Sequence, residues 1–548
     1  MNTIKKMLLI TLSSVLMGLA CGFIPESHME FLAWFGFVPL LIILKSTENF
    51  KQYFTYTYSA FLLFFFLTIY SFFKAFFFGG TVILLIGSLH FCIPVLSIYF
   101  FRKKFGWRKS LYFLPFIWTA WEYFFIQSKL SVAVLSIAVS QAPYTWLIQY
   151  VDIFGSGVIT FWLLLLNVVI ALAVDDWLSK NYKTHKSFIL RYISIILLMF
   201  LIPVTYSIYV FNNDELKRGN EVTVGLVQPN IDPKKKWEES EKYAAVKKNI
   251  NLTDSLLRYE NPELIIWPEA AVPFVILHKE KIRKEVFDKV KNWNIPLLTG
   301  TVDWHYYNDP RLIPPLTKYL NRNYDLYNCA LMITPQLATI VGQPGFESLI
   351  IKTYKKRNLM PFTEAVPYSD KYPVLSNLAL DFGGGANWSA GTGPKTLLFA
   401  DKNERRIKVS PAICWDILYP ETIIESAKNG AEFLAFITNE GWFGKTITAH
   451  EIEGFTRLRS IETRRAIAKC GNTGYTFFTD FYGNVYGKID WWKENFSTEK
   501  IKLSNAQTLY MLYPGCFPVT CLIIASVTFI FFSKKKNYSN KNHFRKKN

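Results

Sequence analysis

Long apolar runs fill the first 211 residues and return once near the carboxyl end. Most approach the ~20 residues that a helix needs to cross a bilayer. The runs lie at about 6–24, 29–45, 55–73, 79–101, 110–127, 156–174, 189–211 and 515–533. This pattern predicts a polytopic α-helical membrane domain, with seven transmembrane helices over 1–211 and an eighth transmembrane helix at 515–533.

The pattern changes at about residue 220, where short β-rich segments begin to alternate with charged helical ones. Such alternation is typical of an α/β layered domain, which we assign to 220–505. The predicted strands are 222–228, 263–267, 295–300, 328–334, 407–413, 432–438 and 474–480. The predicted helices are 238–260, 278–293, 420–429 and 450–469.

Charge in the connections predicts the orientation in the membrane. Lysines precede the first run, and basic residues follow the second, fourth and sixth runs, while "PESHME" after the first run has no Lys or Arg. By the positive-inside rule the amino terminus lies inside, the α/β domain outside, and the basic tail 534–548 inside. The first run resembles a cleavable signal peptide, but seven further runs favour an uncleaved span.

Composition agrees with a membrane protein, because hydrophobic residues make up 51% of the 548 residues. The formal charge is +19, from 61 Lys+Arg and 42 Asp+Glu. A nucleic-acid binder would also be basic, but these cations cluster beside apolar runs, so no nucleic-acid partner is expected. The seven cysteines form no CxxC or Cys/His cluster, and we expect no metal, cofactor or disulfide framework.

Candidate chemistry follows predicted strands of the α/β domain. Glu269 ends "IIWPE", Lys356 and Glu364 lie in "TYKKRNLMPFTE", and Cys414 follows a strand in "AICWD". Taken singly, Glu269 is typical of a turn residue, Lys356 of a surface charge and Cys414 of a small buried residue. An ordered Glu, Lys, Cys series at strand ends is more specific, because side chains there project from a rigid frame.

This series resembles the nitrilase, or carbon–nitrogen hydrolase, superfamily. With the flanking spans, the chain is similar to the apolipoprotein N-acyltransferase family, its bacterial membrane member. The resemblance implies an αββα catalytic domain and assigns roles. Glu269 would be the general base and Cys414 the nucleophile. Lys356, rather than Lys355, would stabilise the oxyanion, with Tyr354 and the Pro-Phe at 361–362 setting the register.

Three further residues take supporting roles by the same resemblance. Glu364 matches the second essential glutamate, and Trp415 and Asp416 follow the nucleophile, where the family usually has Tyr or Phe and then Glu. Thr363 stands where the family usually has Gly. Candidates to line an acyl groove, or else to be ordinary core, are Phe274 in "AVPFVI", Trp388 in "FGGGANWSAG" and Trp442. The segments "AVPFVI" and "FGGGANWSAG" are expected to be lid loops.

The resemblance implies a phospholipid acyl donor and a diacylglyceryl apolipoprotein acceptor, joined through an acyl-thioester on Cys414. It places the enzyme in the bacterial inner membrane. Three alternatives stay open: a membrane-tethered amidase that uses water, a catalytically silent lipoprotein-binding homologue, and a transporter. The spans hold few ionisable residues, mainly Glu122, with Asp152 at the entry to the sixth span, which disfavours transport.

Overall fold

The computed structural model describes residues 2–75, 77–131, 136–179, 187–213, 219–341, 351–380 and 387–545. The chain divides into two compact units. The helical unit comprises Met1–Ser128, Val134–Val210 and Leu512–Asn548. The sandwich unit comprises Lys129–Ala133 and Phe211–Met511.

The helical unit is built from apolar helices. Asn side chains begin two of them, since Asn2 accepts a hydrogen bond from the Lys5 amide at 3.0 Å and Asn49 accepts one from the Lys51 amide at 2.8 Å. The helices up to residue 211 are α1 (Thr3–Ala20), α2 (Val38–Lys45), α3 (Phe50–Thr68), α4 (Tyr70–Ala75), α5 (Phe77–Phe105), α6 (Trp107–Leu111), α7 (Leu114–Ile126), α8 (Val151–Phe154), α9 (Gly157–Leu178) and α10 (Ser187–Phe211).

Among the residues that the structure describes, four helical segments are long and apolar enough to cross a membrane: Thr3–Ala20, Gly79–Phe105, Gly157–Leu178 and Ile189–Phe211. They coincide with four of the eight predicted runs. The run at 29–45 is not one helix, because a short 3-10 turn at Glu30–Trp34 precedes α2, whose eight residues rise only about 12 Å. The run at 110–127 contains α7, which has 13 residues.

The sandwich unit contains two sheets. Its strands are β1 (Glu221–Gln228), β2 (Leu264–Ile266), β3 (Val272–Val275), β4 (Leu297–Tyr306), β5 (Tyr324–Ile333), β6 (Thr353–Lys355), β7 (Leu397–Ala400), β8 (Arg406–Ile413), β9 (Phe433–Thr438), β10 (Ile467–Gly471), β11 (Thr476–Thr479), β12 (Val485–Ile489) and β13 (Asn495–Lys502). Its helices are α11 (Glu239–Tyr259), α12 (Glu280–Trp293), α13 (Pro315–Tyr319), α14 (Pro335–Ile340), α15 (Pro420–Lys428), α16 (Ile447–Thr463) and α17 (Leu509–Leu512). The last helix, α18 (Cys516–Arg545), covers the eighth predicted run and belongs to the helical unit.

The first sheet has the order β13-β1-β2-β4-β5-β6, with β3 also paired to β4, and the second has the order β12-β11-β10-β9-β8-β7. One continuous apolar core takes residues from both sheets, so the sheets face each other. A second core joins the first sheet to α11 and α12, while α15 and α16 contact the second sheet. The unit is therefore an αββα sandwich, as the family resemblance implies.

Two local predictions are wrong. "AVPFVI" was expected to be a lid loop, but it contains β3, which pairs with β4 and is mostly buried. The helix predicted to reach residue 469 ends at Thr463, and β10 begins at Ile467. Arg464 between them adopts a left-handed backbone conformation, with φ of 49°, which stops the helix.

Candidate active site

Glu269 lies in a tight turn directly after β2. Trp267 continues the strand by donating its amide to the Leu298 carbonyl at 2.8 Å. The chain then turns sharply, with Ala270 at a φ of 46°. The turn lies against Gly300 of β4, where a Cβ atom would come within 2.4 Å of the Ala270 nitrogen. Glu269 is thus held by backbone geometry and is 8% exposed.

Lys356 follows β6 and lies between two carboxylates. Its ammonium is 2.7 Å from Oε1 of Glu364 and 3.5 Å from Oε1 of Glu269. The Lys356 residue is 1% exposed, so these ion pairs lie away from bulk water. Glu364 is fixed in turn, because its Oε2 accepts the Met360 amide at 2.7 Å. Lys355, by contrast, places its ammonium 3.6 Å from the ring centre of Tyr327.

Cys414 is the first residue after β8 and begins a short 3-10 turn that runs to Leu418. Its φ of 48° is strained for a residue with a side chain. Its residue is partly exposed, and it packs against the core between the sheets. The strand-end position therefore presents a thiol in a sharp turn.

Asp416 connects the cysteine turn to the lysine loop. Its Oδ2 accepts hydrogen bonds from the Tyr354 hydroxyl at 2.7 Å and the Ile413 amide at 3.0 Å. Its Oδ1 accepts the Asn358 amide at 2.8 Å and the Asn358 side chain at 3.0 Å. Asp416 is fully buried, so the shorter side chain that replaces the family's usual Glu is well accommodated. Its neighbour Trp415 is also buried.

The electrostatic environment of Cys414 links it to the other three groups. Burial raises the pKa of the Cys414 thiol, the charges of Glu269 and Glu364 raise it further, and the Lys356 ammonium opposes them. The same thiol and carboxylates raise the pKa of Lys356 although burial alone would lower it. The resting site therefore holds a neutral thiol and a permanent ammonium, which means that the thiol needs a base.

Glu269 is the candidate for that base. Burial raises its pKa, Lys356 lowers it and Glu364 raises it. Asn328 on β5 donates its side-chain amide to Glu269 Oε1 at 2.7 Å and favours the charged form. A carboxylate with a raised pKa is a stronger proton acceptor than a solvated one.

Sequence reasoning missed Asn328 and Lys236. Asn328 precedes Cys329 in a predicted strand, and nothing in "NCALMIT" marks its amide as a contact of Glu269. Lys236 lies among three consecutive lysines, a pattern typical of a solvated surface, yet it is buried and donates to the Glu269 carbonyl oxygen at 2.7 Å.

The three groove candidates differ in their surroundings. Phe274 lies on β3 within the apolar core and packs against Tyr243 with ring centres 5.0 Å apart, which corrects its expected place in a lid. Trp388 is buried, and its amide donates to the Glu364 carbonyl at 2.7 Å. Trp442 ends a short 3-10 turn after β9 and is partly exposed. The first part of the expected lid at 382–391, residues 382–386, lies outside the described residues.

The fold and these contacts are those of the carbon-nitrogen hydrolase class of enzymes. The family model described as carbon-nitrogen hydrolase matches residues 223–510, which begin within β1 and end within α17. A second model, the apolipoprotein N-acyltransferase N-terminal domain, matches residues 13–169 of the helical unit.

Relatives align along nearly the whole chain. A protein of Chlorobaculum tepidum named apolipoprotein N-acyltransferase is 33% identical over 537 residues, 97% of each chain. One of Geobacter metallireducens with the same name is 23% identical, covering 97% of this chain and 96% of the relative. Apolipoprotein N-acyltransferase 1 of Treponema denticola is 24% identical, covering 96% of both. The chain belongs to the apolipoprotein N-acyltransferase family, and its apolar helices are those of a membrane protein.

Proposed function

We propose that this enzyme N-acylates apolipoproteins by taking an acyl group from a phospholipid and transferring it to the α-amino group of an amino-terminal diacylglyceryl-cysteine. Membership of the family supports lipoprotein N-acylation. The observation that carries the mechanism is the Lys356 ammonium, buried between Glu269 and Glu364 and acting on the Cys414 thiol.

The first half-reaction forms an acyl-thioester. Glu269 takes the thiol proton as Sγ of Cys414 attacks the ester carbonyl carbon of the phospholipid. The oxyanion that develops is stabilised by the Lys356 ammonium, with the backbone N–H of Trp415 as the candidate second donor. The carbon–oxygen bond then breaks, Glu269 returns the proton to the departing lysophospholipid oxygen, and Cys414 keeps the acyl group.

The second half-reaction transfers the acyl group to nitrogen. The amine of the apolipoprotein attacks the thioester carbonyl, and Glu269 accepts the proton that the amine loses. The same ammonium stabilises the second oxyanion. When the carbon–sulfur bond breaks, the proton returns to sulfur, so the free thiol is restored. Glu364 positions Lys356, and Asp416 ties the nucleophile turn to the lysine loop.

The proposal includes the membrane arrangement that the charge pattern predicts. The chain would cross the bacterial inner membrane eight times, with both termini in the cytoplasm and the domain 220–505 on the outside. Segments 1–211 and 515–533 would form the membrane domain and 534–548 a cytoplasmic tail. A single cysteine placed at the exposed Tyr259 should react with a membrane-impermeant maleimide in intact spheroplasts. Labelling only after lysis would reverse the orientation.

Both lipid substrates need an apolar surface beside the thiol. Trp388 and Trp442 remain our candidates for contacts with the acyl chain, because Trp388 adjoins the Glu364 backbone and Trp442 is partly exposed. Phe274 is not retained, because it packs within the core.

The experiment that tests the function is an intact-mass spectrum of the detergent-purified protein after incubation with a synthetic dipalmitoyl phospholipid and an acid quench. We expect an adduct of one palmitoyl mass that hydroxylamine removes and that Cys414→Ser lacks. Cys516→Ser is the matched control, because Cys516 is exposed, outside the sandwich, and should leave the adduct unchanged.

Addition of a synthetic diacylglyceryl peptide with a free amino terminus should discharge the adduct and produce an N-palmitoyl peptide. Discharge by water alone would favour an amidase-type hydrolase. A folded protein that forms no adduct at all would refute the acyl-thioester mechanism.

A further inference from the structure

Lys236 is a buried cation that the mechanism above does not use. It lies between β1 and α11 and is 1% exposed. Its ammonium donates a hydrogen bond to the backbone carbonyl oxygen of Glu269 at 2.7 Å. Burying an ammonium is unfavourable unless opposite charge and hydrogen bonds compensate for the lost hydration. The residue therefore requires an explanation in terms of its neighbours.

The neighbouring charges provide one. Lys356, Glu364 and Lys236 act on Glu269 through their charges, and the neutral Asn328 donates to its carboxylate. Glu269 also interacts with the Cys414 thiol. Two ionised carboxylates and one ammonium would leave a net negative charge in a buried site. Below about pH 7, where Lys236 is charged, a second ammonium brings the sum to zero. Proton transfer from Cys414 to Glu269 then leaves this balance unchanged.

The geometry gives Lys236 a second effect. The Glu269 turn is confined on one side by Gly300 and contains the strained Ala270. The hydrogen bond from Lys236 holds the carbonyl group of Glu269, which belongs to the same peptide unit as the Ala270 nitrogen beside Gly300. Lys236 is itself held by its backbone, since its amide donates to the Asp232 carbonyl at 3.1 Å.

We propose that Lys236 is a positioning residue for the general base: its ammonium holds the Glu269 turn and keeps the Glu269 carboxylate ionised and ready to accept a proton. This inference rests on the proposed role of Glu269. In the proposed mechanism, Lys236 itself contacts none of the reacting atoms. It accounts for a lysine at this position, because a neutral donor would hold the turn but would not balance the charge.

The direction of the electrostatic effects agrees with this role. Burial lowers the pKa of Lys236 to about 7, against the opposing effect of Glu269, so its ammonium is fully present only below that pH. Lys236 in turn lowers the pKa of Glu269. Removing the Lys236 charge should therefore raise the pKa of Glu269, and the base would lose its charge at a higher pH than in the wild type.

The test measures the rate of palmitoyl-adduct formation against pH, using full-length protein in detergent and the dipalmitoyl phospholipid. We expect Lys236→Met to slow the reaction by about 10-fold or more at pH 7, since misplacing a base is costly. We also expect the acid limb of the pH–rate profile of Lys236→Met, over which the rate falls as the pH drops, to move up by ~1 pH unit. Lys236→Arg should keep the acid limb of the wild type. Lys235→Met changes an exposed neighbour and should match the wild type throughout.

Lys236→Gln keeps a hydrogen-bond donor without the charge and replaces Lys236→Met if the latter does not fold. Suppose that the neutral variant keeps the acid limb of the wild type and reacts more slowly at every pH. That result would show that Lys236 has only a structural role, and it would overturn the inference. The proposed function would survive that result, provided that the wild type forms the adduct and Cys414→Ser does not.

Discussion

Gly300 and Glu269 approach so closely that no side chain fits between them. A Cβ atom at residue 300 would lie 2.8 Å from the Cα of Glu269 and 2.5 Å from the carbonyl oxygen of Pro268. Backbone atoms cannot move aside as a flexible side chain would. The position of the proposed base therefore depends on a glycine at residue 300 of the neighbouring strand β4.

Gly300→Ala should displace the Glu269 turn. We expect adduct formation to slow by about 100-fold, because small displacements of a reacting group are costly. Overpacking should also lower the free energy of unfolding by about 1–3 kcal/mol. Gly157→Ala is the control, since its Cβ would meet only a Thr119 methyl at 3.6 Å. Equal rates for the two variants would contradict the role assigned to this close approach.

Lys356 and Lys355 are adjacent but should respond differently to substitution. Lys356→Met leaves Glu269 and Glu364 without their shared cation, so we expect loss of the adduct and destabilisation by about 3–5 kcal/mol. Lys355→Met loses a contact with the Tyr327 ring and should keep the adduct. Thermal unfolding and intact mass together measure both effects. Loss of the adduct in Lys355→Met alone would reverse the assignment.

Asp416→Asn should weaken the link between the nucleophile turn and the lysine loop. Both Asp416 oxygens accept hydrogen bonds, so an amide in either orientation turns its NH₂ group toward a donor. We expect a loss of about 1–3 kcal/mol in unfolding free energy and slower adduct formation.

Asp370→Asn provides the control for that measurement. Asp370 forms an ion pair with Lys129 in which both side chains are more than half exposed, and surface pairs contribute about 0–1 kcal/mol. If Asp416→Asn were no more destabilising than Asp370→Asn, the buried network would not hold the turn.

The pH profile should report the charges around Glu269. A base must be ionised, so the rate should fall as the pH drops through its pKa, which burial raises above the usual range of glutamate. Glu364 raises that pKa further. Glu364→Gln should therefore move the acid limb to lower pH, the opposite direction from Lys236→Met, even if its rate is reduced. An upward shift in Glu364→Gln would show that Glu364 does not act on the base through its charge.

Much of the sandwich was predictable because its signals are local. The seven predicted strands all exist, since runs of β-branched and aromatic residues bounded by turns mark strands within a few residues. Six observed strands were not predicted: β3, β6, β7, β10, β12 and β13. Strand β3 was missed because a short apolar segment after a proline resembles a loop, and its pairing with β4 is a tertiary contact. The end of α16 was placed too late because helical periodicity does not reveal a left-handed residue such as Arg464.

The helical unit shows a different limit. Hydropathy locates apolar runs but does not show whether a run is continuous helix, so 29–45 read as a span although a 3-10 turn interrupts it. Backbone conformation there depends on neighbouring helices. One such contact is the Phe37 amide, which donates to the side chain of Asn167 on α9 at 2.8 Å.

The residue types and their order along the chain were enough to propose Glu269, Lys356, Glu364 and Cys414 as candidates, because each lies in a short sequence motif near a strand end. Their convergence depends on the fold: Glu269 follows a strand of one sheet and Cys414 a strand of the other, the two sheets share one core, and the charge of Glu269 acts on the Cys414 thiol. The same holds for Lys236, Asn328 and Gly300. Their roles arise from contacts with Glu269 across the fold, and no local pattern encodes a contact between segments distant in the chain.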